Sequence, residues 1–289
     1  MEVGSRSVRD RAFIGLQYLL PQHFLSRLVY ALTRARIGWL RRALIRRFLR
    51  HYPVNLSEAE RSDPLDFDSF NDFFTRRLRP DARPIDPEPL AVACPVDGYV
   101  SQAGRLEGDA LLQAKGMRYS ASALLGGEPE LAAQFAGGAF ATLYLAPHNY
   151  HRIHMPLAGM LRLARHVPGE LFSVNATTTG GVPGLFVRNE RIACVFDTAA
   201  GPMAVVLVGA LFVGSMSLSW AGEIRTPRPR VMRDLSVQRA IALDKGAELG
   251  WFNMGSTVIL MFGREGPTLD PGLVPGQAVR MGERIATHT

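Results

Sequence analysis

The chain reads as an α+β protein, with N-terminal amphipathic helices followed by a predominantly β core. Two observations carry this. Phe24, Leu25, Leu28, Val29 and Leu32 recur at helical spacing, and so do Ile37, Leu40, Leu44 and Phe48. From Ala91 onward the apolar runs shorten to strand length, and glycine or proline interrupts them. Helices gathered at one end of a series of strands form the α+β pattern.

Residues 1 to about 50 make the helical part. They carry eleven arginines against Glu2 and Asp10, a local balance of +9 in a chain whose total is +7. The basic character therefore belongs to the N-terminus, and it gives no reason to expect nucleic-acid binding by the core. Arg41, Arg42, Arg46, Arg47 and Arg50 accompany the second apolar set, a pattern suited to a helix lying on an anionic membrane surface. Residues 52–90, rich in proline and aspartate, form a transition with a short helix at Phe67–Arg77, capped near Asp66 or Asp68. Strands are predicted at Gly98–Gln102, Phe140–Leu145, Gly184–Val187, Ile192–Phe196, Met203–Val208 and Val258–Phe262, with short helices around Leu124 and Glu130–Phe135. Gly126-Gly127 and Gly180-Gly181 mark loops.

The stretch from Thr198 to Gly222 has no charge and is long enough to span a bilayer. It opens with Ala-Ala-Gly-Pro and splits into short runs around Gly209, so buried strands are predicted there rather than a membrane helix. Phe13–Leu20 is too short and too interrupted for a signal peptide, and export is not expected. Cys94 and Cys194 have no metal or redox spacing and read as reduced, packed thiols.

Gly255-Ser256-Thr257 stands just ahead of the strand-like Val258–Phe262. A serine hydroxyl close to its own preceding carbonyl can attack it, turning the Gly255–Ser256 amide into an ester once a base removes the proton. Glycine lacks the Cβ that would obstruct the bend. Elimination from the ester leaves dehydroalanine, which hydrolyses to a pyruvoyl group and ammonia, so Ser256 would become a cofactor. The tripeptide alone is also the spelling of an ordinary turn, and support must come from other segments.

Asp97, in Cys94-Pro95-Val96-Asp97-Gly98, enters a predicted strand through what spacing alone makes an Asp-Gly turn. The segment Pro147 to Pro156 gathers His148, His151 and His154, three of the seven histidines. His151 and His154 have a spacing that helices use for paired ligands, but no Cys, Asp or Glu in the segment completes a zinc shell, and no metal is expected. Histidines merely solvated or packed in a loop are the plain alternative. Acid/base catalysis is the third reading. Asp97, His154 and Ser256 could form a relay in which carboxylate orients imidazole and imidazole deprotonates hydroxyl, whatever their order in the chain.

Pro95-Val96-Asp97-Gly98, the run from Tyr150 to Pro156 and Gly255-Ser256-Thr257, in this order and at these separations, resemble the pyruvoyl-dependent phosphatidylserine decarboxylase proenzymes of bacteria. Phe70 to Arg76, Arg83-Pro84-Ile85, Gly169 to Asn175, Asn189-Glu190-Arg191, Val208-Gly209-Ala210 and Val213-Gly214 extend the likeness over roughly residues 60–285. The resemblance implies self-cleavage by Asp97, His154 and Ser256. A long β chain would end at Gly255, and a short α chain would begin with the pyruvoyl made from Ser256 and stay associated with it. His151 would serve the decarboxylation that yields phosphatidylethanolamine and CO2, as a proton donor. Met254 stands where many members have leucine, an apolar exchange of similar volume.

The organisation expected is a membrane-associating region at 1–60 and a catalytic domain at 61–289. Expected partners are phosphatidylserine, an anionic membrane surface and a second copy in a homodimer, with the protein peripheral on the cytoplasmic face of the cell membrane. Two other classes use the same features. A serine hydrolase would employ Asp97, His154 and Ser256, although Ser256 lacks the Gly-x-Ser-x-Gly elbow. A membrane-binding scaffold would need only the basic helices.

Overall fold

The computed structural model describes residues 7–213, 215–235 and 239–288. Residues 1–6 of the basic region, Gly214 of the Val213-Gly214 motif and Thr289 at the end of the catalytic domain lie outside the described residues.

Three helices open the chain: α1 (Val8–Leu19), α2 (Gln22–Arg34) and α3 (Gly38–His51). Helix α2 is turned inside out. Its buried residues are Gln22, Ser26 and Thr33, whereas Phe24, Leu28 and Leu32 are 59%, 59% and 42% exposed. Hydrogen bonds make the polar burial tolerable. Gln22 Oε1 accepts from Leu171 N (2.6 Å), Ser26 Oγ accepts from Phe212 N (3.1 Å), and Thr33 donates to Val29 O (2.8 Å). From α1, the buried Gln17 accepts from Ser173 N (3.0 Å). The first two helices thus dock on the core partly through glutamine and serine, with Ile14 of α1 buried in the core and Leu25 and Val29 of α2 half-buried, while Phe24, Leu28 and Leu32 stay exposed.

Helix α3 behaves differently. Ile45 is buried, and Leu44, Phe48 and Leu49 pack on a cluster of Phe67, Phe70, Phe73 and Phe74. The second apolar set is therefore divided between this cluster and solvent, where Ile37 lies exposed. The transition helix, α4, is shorter than predicted, Phe70–Phe74, and its cap is Ser69 rather than Asp66 or Asp68. The Ser69 hydroxyl accepts from Asp72 N at 3.1 Å, three residues on, the reach that a short N-cap side chain needs.

The core is a large antiparallel sheet in which Gly159–Val167, Arg191–Thr198, Gly201–Val208, Thr257–Phe262, Ala139–Tyr144 and Gly98–Arg105 follow one another. Thr257–Phe262 is wholly buried at its centre, which is why it reads as an unbroken apolar run rather than an alternating one. A smaller sheet joins Arg152–His154, Glu248–Phe252, Met216–Leu218 and Gly222–Ile224. The uncharged stretch supplies Gly201–Val208 and Met216–Leu218, and no described helix is long and apolar enough to cross a membrane. Ala121–Leu124 and Pro129–Ala133 are short helices. The predicted strand at Gly184–Val187 is instead a helical turn, Leu185–Arg188, entered through Gly184 at φ 62°. A four-residue apolar run has no period to distinguish the two, and the left-handed glycine decides it. Cys94 and Cys194 are free and buried.

Candidate active site

Two strand pairs pass the chain between the sheets at the same place. Tyr144 faces Thr257 in the large sheet, and Arg152 faces Trp251 in the smaller one. The linkers 145–151 and 253–256 must therefore run side by side. Leu145 N donates to Ser256 O (2.8 Å), and Phe252 N donates to His151 O (3.1 Å). His151 ends against the glycine: a Cβ added to Gly255 would stand 2.4 Å from His151 Nε2.

The protonation pattern of His151 follows from its partners. Its Nδ1 lies 2.8 Å from Asn149 O, which can only accept, so Nδ1 carries the proton and Nε2 a lone pair. That Nε2 is buried with no hydrogen-bond partner, and so is Ser256 Oγ. The imidazole stacks on Phe74 with ring centroids 4.1 Å apart. Burial, reinforced by the charge of Arg76, pushes its pKa down to about 3, so the ring is neutral at physiological pH. A neutral imidazole with a bare nitrogen against Gly255, and a bare hydroxyl on the next residue, are the equipment of a general base and its nucleophile, and in this structure the two make no hydrogen bond to each other. Gly255 and Ser256 line a cavity of about 410 Å³ whose aromatic wall includes Phe48, Phe70, Phe74, Tyr144 and Phe212.

His154 points elsewhere. It ends the extended strand Arg152–His154, and an odd spacing of three residues in extended chain turns side chains to opposite faces, so the helical ligand spacing does not apply. Its Nδ1 donates to Gly246 O (2.8 Å), and its Nε2 accepts from the Tyr150 hydroxyl (3.0 Å). Burial lowers its pKa as well. Asp97 reaches the same end of the sheet, because Tyr99 pairs with Tyr144 and His154 N donates to Pro95 O (2.9 Å). Its carboxylate accepts from Arg83 at 2.6–3.2 Å and from Met281 N at 2.9 Å. The three segments meet, but Asp97, His154 and Ser256 make no hydrogen bonds to one another. Among the described residues no group of three His, Cys, Asp or Glu could hold a metal ion.

Further residues of the site had no role assigned from sequence. Arg76 is buried behind His151, donates to His148 O (3.0 Å) and has its pKa pushed down to about 10 by burial. Asn253 donates to Ser215 Oγ (2.9 Å) and Ser217 Oγ (3.1 Å), while its carbonyl accepts from Asn71. These bonds fix the chain two residues before Gly255. The signal for Asn253 was available as a lone amide between Phe252 and Met254, in an otherwise apolar approach to the glycine.

A sequence model of the family described as Phosphatidylserine decarboxylase matches residues 70–287, a stretch that contains Asp97, His151, His154 and Ser256. The chain belongs to the phosphatidylserine decarboxylase family. A second model, described as PSD, matches residues 12–53, which covers most of the three N-terminal helices. The phosphatidylserine decarboxylase proenzyme of Bordetella pertussis is 52% identical over 283 residues, covering 96% of this chain and 95% of its own. Those of Pseudomonas putida and Azotobacter vinelandii are 51% and 50% identical over 282 residues, each covering 96% of this chain and 98% of its own. The family likeness therefore includes the helices as well as the site.

Proposed function

We propose that this chain is the precursor of a pyruvoyl-dependent phosphatidylserine decarboxylase, which cuts itself between Gly255 and Ser256 and then converts phosphatidylserine to phosphatidylethanolamine and CO2. The observation that carries the reading is the pair of buried, partnerless atoms beside Gly255, Ser256 Oγ and His151 Nε2. His151 takes the hydroxyl proton as Oγ bonds to the Gly255 carbonyl carbon. The C–N bond then breaks, and the proton passes to the freed nitrogen of Ser256, leaving an ester. Loss of the Ser256 α-proton expels Gly255 as a carboxylate, and water converts the remaining dehydroalanine to pyruvoyl and ammonia. The pyruvoyl group supplies an electron sink for the carboxylate's bonding pair during decarboxylation. His151, with Nε2 against Gly255, would return the proton that it takes up. Asp97 and His154 act as positioning groups in this scheme, Asp97 through Arg83 and His154 through Tyr150.

The residues at the site suit such a group. Ser256 lies in the wall of the aromatic cavity, whose apolar lining would accept the glycerol end of a phospholipid. After cleavage the α chain would stay in place, because Thr257–Phe262 is laddered on both sides, to Gly201–Val208 and to Ala139–Tyr144. Purified protein is expected to release CO2 from phosphatidylserine, and phenylhydrazine, a carbonyl reagent, is expected to stop it. Labelling by a serine-reactive phosphonate without CO2 release would favour a hydrolase. Gly255→Ala is expected to abolish self-cleavage on a denaturing gel, since the new methyl would displace His151 Nε2 from 2.4 Å. Normal cleavage in that variant would mean that His151 does not need to stand there.

The inverted α2 supports a peripheral membrane position, with residues 1–60 as the contacting region, 61–289 as the catalytic part, and the cytoplasmic face as the place. Arg42, Arg46, Arg47 and Arg50 are exposed and have no ion pair among the described residues. Apolar insertion is indifferent to salt, whereas charge attraction is screened within about 8 Å at physiological ionic strength. Changing Phe24, Leu28 and Leu32 to serine is therefore expected to weaken co-sedimentation with phosphatidylglycerol-containing vesicles at every salt concentration. Changing Arg42, Arg46 and Arg47 to glutamine should remove only the salt-sensitive part. Unaltered binding in both variants would make these helices packing elements alone.

A further inference from the structure

A second cavity, of about 210 Å³, opens on a flank of α2 and shares no lining residue with the one at Ser256. Its wall carries Arg27, Arg225, Arg228 and Arg230 and no carboxylate. Arg225 and Arg228 have no ion pair among the described residues, and Arg230 reaches Glu170 only at 3.8 Å. The other carboxylates that adjoin the lining are Glu190 and Glu223, and each is held by a hydroxyl of the wall and by a second cation or imidazole rather than by the four arginines. Glu190 accepts from Thr226 and from His166, and Glu223 accepts from Tyr30 and from Arg34. The Arg225 guanidinium is held 4.3 Å above the Tyr30 ring, which fixes its plane without using its donors. Ser26 only accepts, from Phe212 N, and keeps its hydroxyl proton free to donate.

Four guanidinium groups around one hollow repel one another, and an anion seated among them offsets that cost. Arginine forks match the oxygens of a phosphate in pairs, and the cavity far exceeds the roughly 10–15 Å³ that one water needs. We propose that this cavity is a second phosphate-binding site, which takes a phosphomonoester or phosphodiester group. It lies on the helix whose Phe24, Leu28 and Leu32 face outward, so a phospholipid headgroup could enter it while its acyl chains lie along that stripe. Free phosphate offers the same oxygens. The inference does not depend on self-cleavage at Ser256.

The test is titration calorimetry on the full chain with two probes, sodium phosphate and dihexanoyl phosphatidylglycerol below its micellar concentration. The variants are Arg225→Gln with Arg228→Gln and, as a control of equal charge change at exposed positions, Arg264→Gln with Arg284→Gln. Saturable binding is expected in the unaltered chain and in the control, and it should weaken by roughly tenfold or more when two charge-assisted contacts are lost. A lipid probe that binds much more tightly than phosphate identifies a headgroup site. Equal affinity identifies a site for soluble phosphate. If neither probe binds saturably, or if the Arg225/Arg228 variant binds both as the unaltered chain does, the proposal is overturned.

Discussion

Replacing Ser256 with alanine is expected to leave one uncut, inactive chain. The substitution deletes a hydroxyl that is buried without any hydrogen-bond partner, so it removes the nucleophile and breaks no native contact. Loss of function should therefore be complete while thermal stability stays unchanged, because no buried group is left newly unsatisfied. The Leu145 N–H still reaches the residue 256 carbonyl, and the strand that follows keeps both of its ladders. Two-chain product in this variant would end the account, since no other hydroxyl occupies that position.

The second large effect is expected from His151. Its Nε2 is the basic atom beside Gly255, so His151→Ala should slow self-cleavage by about 10²–10⁴-fold, the usual contribution of a positioned general base. The pH dependence separates this from simple misfolding. A base acts in its neutral form, and the pKa of His151 is pushed from the ordinary value of 6.5 down to about 3. The neutral ring therefore persists as pH falls through 6.5, and cleavage of the unaltered chain should show no loss at that point. Folding carries the matching sign. The unfolded chain binds a proton at this histidine below about pH 6.5 that the folded chain refuses, so this residue's contribution to stability declines as pH falls from there towards 3. His154→Ala should act less directly, by freeing Tyr150 and the Gly246 carbonyl. Full cleavage by His151→Ala with none by His154→Ala would return the base to His154, the assignment that family resemblance suggested.

That contrast marks where sequence reading reached its limit. The helical spacing of Phe24, Leu28 and Leu32 identified a helix with an apolar face, but not that the face points away from the core. What turned it outward is the hydrogen bonding of Gln22 and Ser26 to backbone 171 and 212, contacts made nearly 150 residues or more downstream and invisible to local periodicity. Asp97 and Ser256 were legible as chemistry-bearing residues beside glycine, and His151 and His154 through the crowding of three histidines between Pro147 and Pro156. Their arrangement was not legible. It depends on two linkers crossing between sheets at one point, and on an extended rather than helical run at 152–154, which sends His151 and His154 to opposite sides. Arg76 acts through the His148 carbonyl and Asn253 through the Ser215 and Ser217 hydroxyls, partners brought by other segments, so what each holds could not be read from its own stretch of sequence.

The central claim, that Ser256 becomes the prosthetic group, is tested most directly by mass spectrometry of the purified protein. The expected result is two polypeptides, one ending at Gly255 and one beginning at residue 256. The shorter should carry a pyruvoyl N-terminus, resist Edman degradation, and gain the mass of one hydrazone on treatment with phenylhydrazine. A single intact chain, or two fragments whose second begins with an unmodified, sequenceable serine, would contradict it.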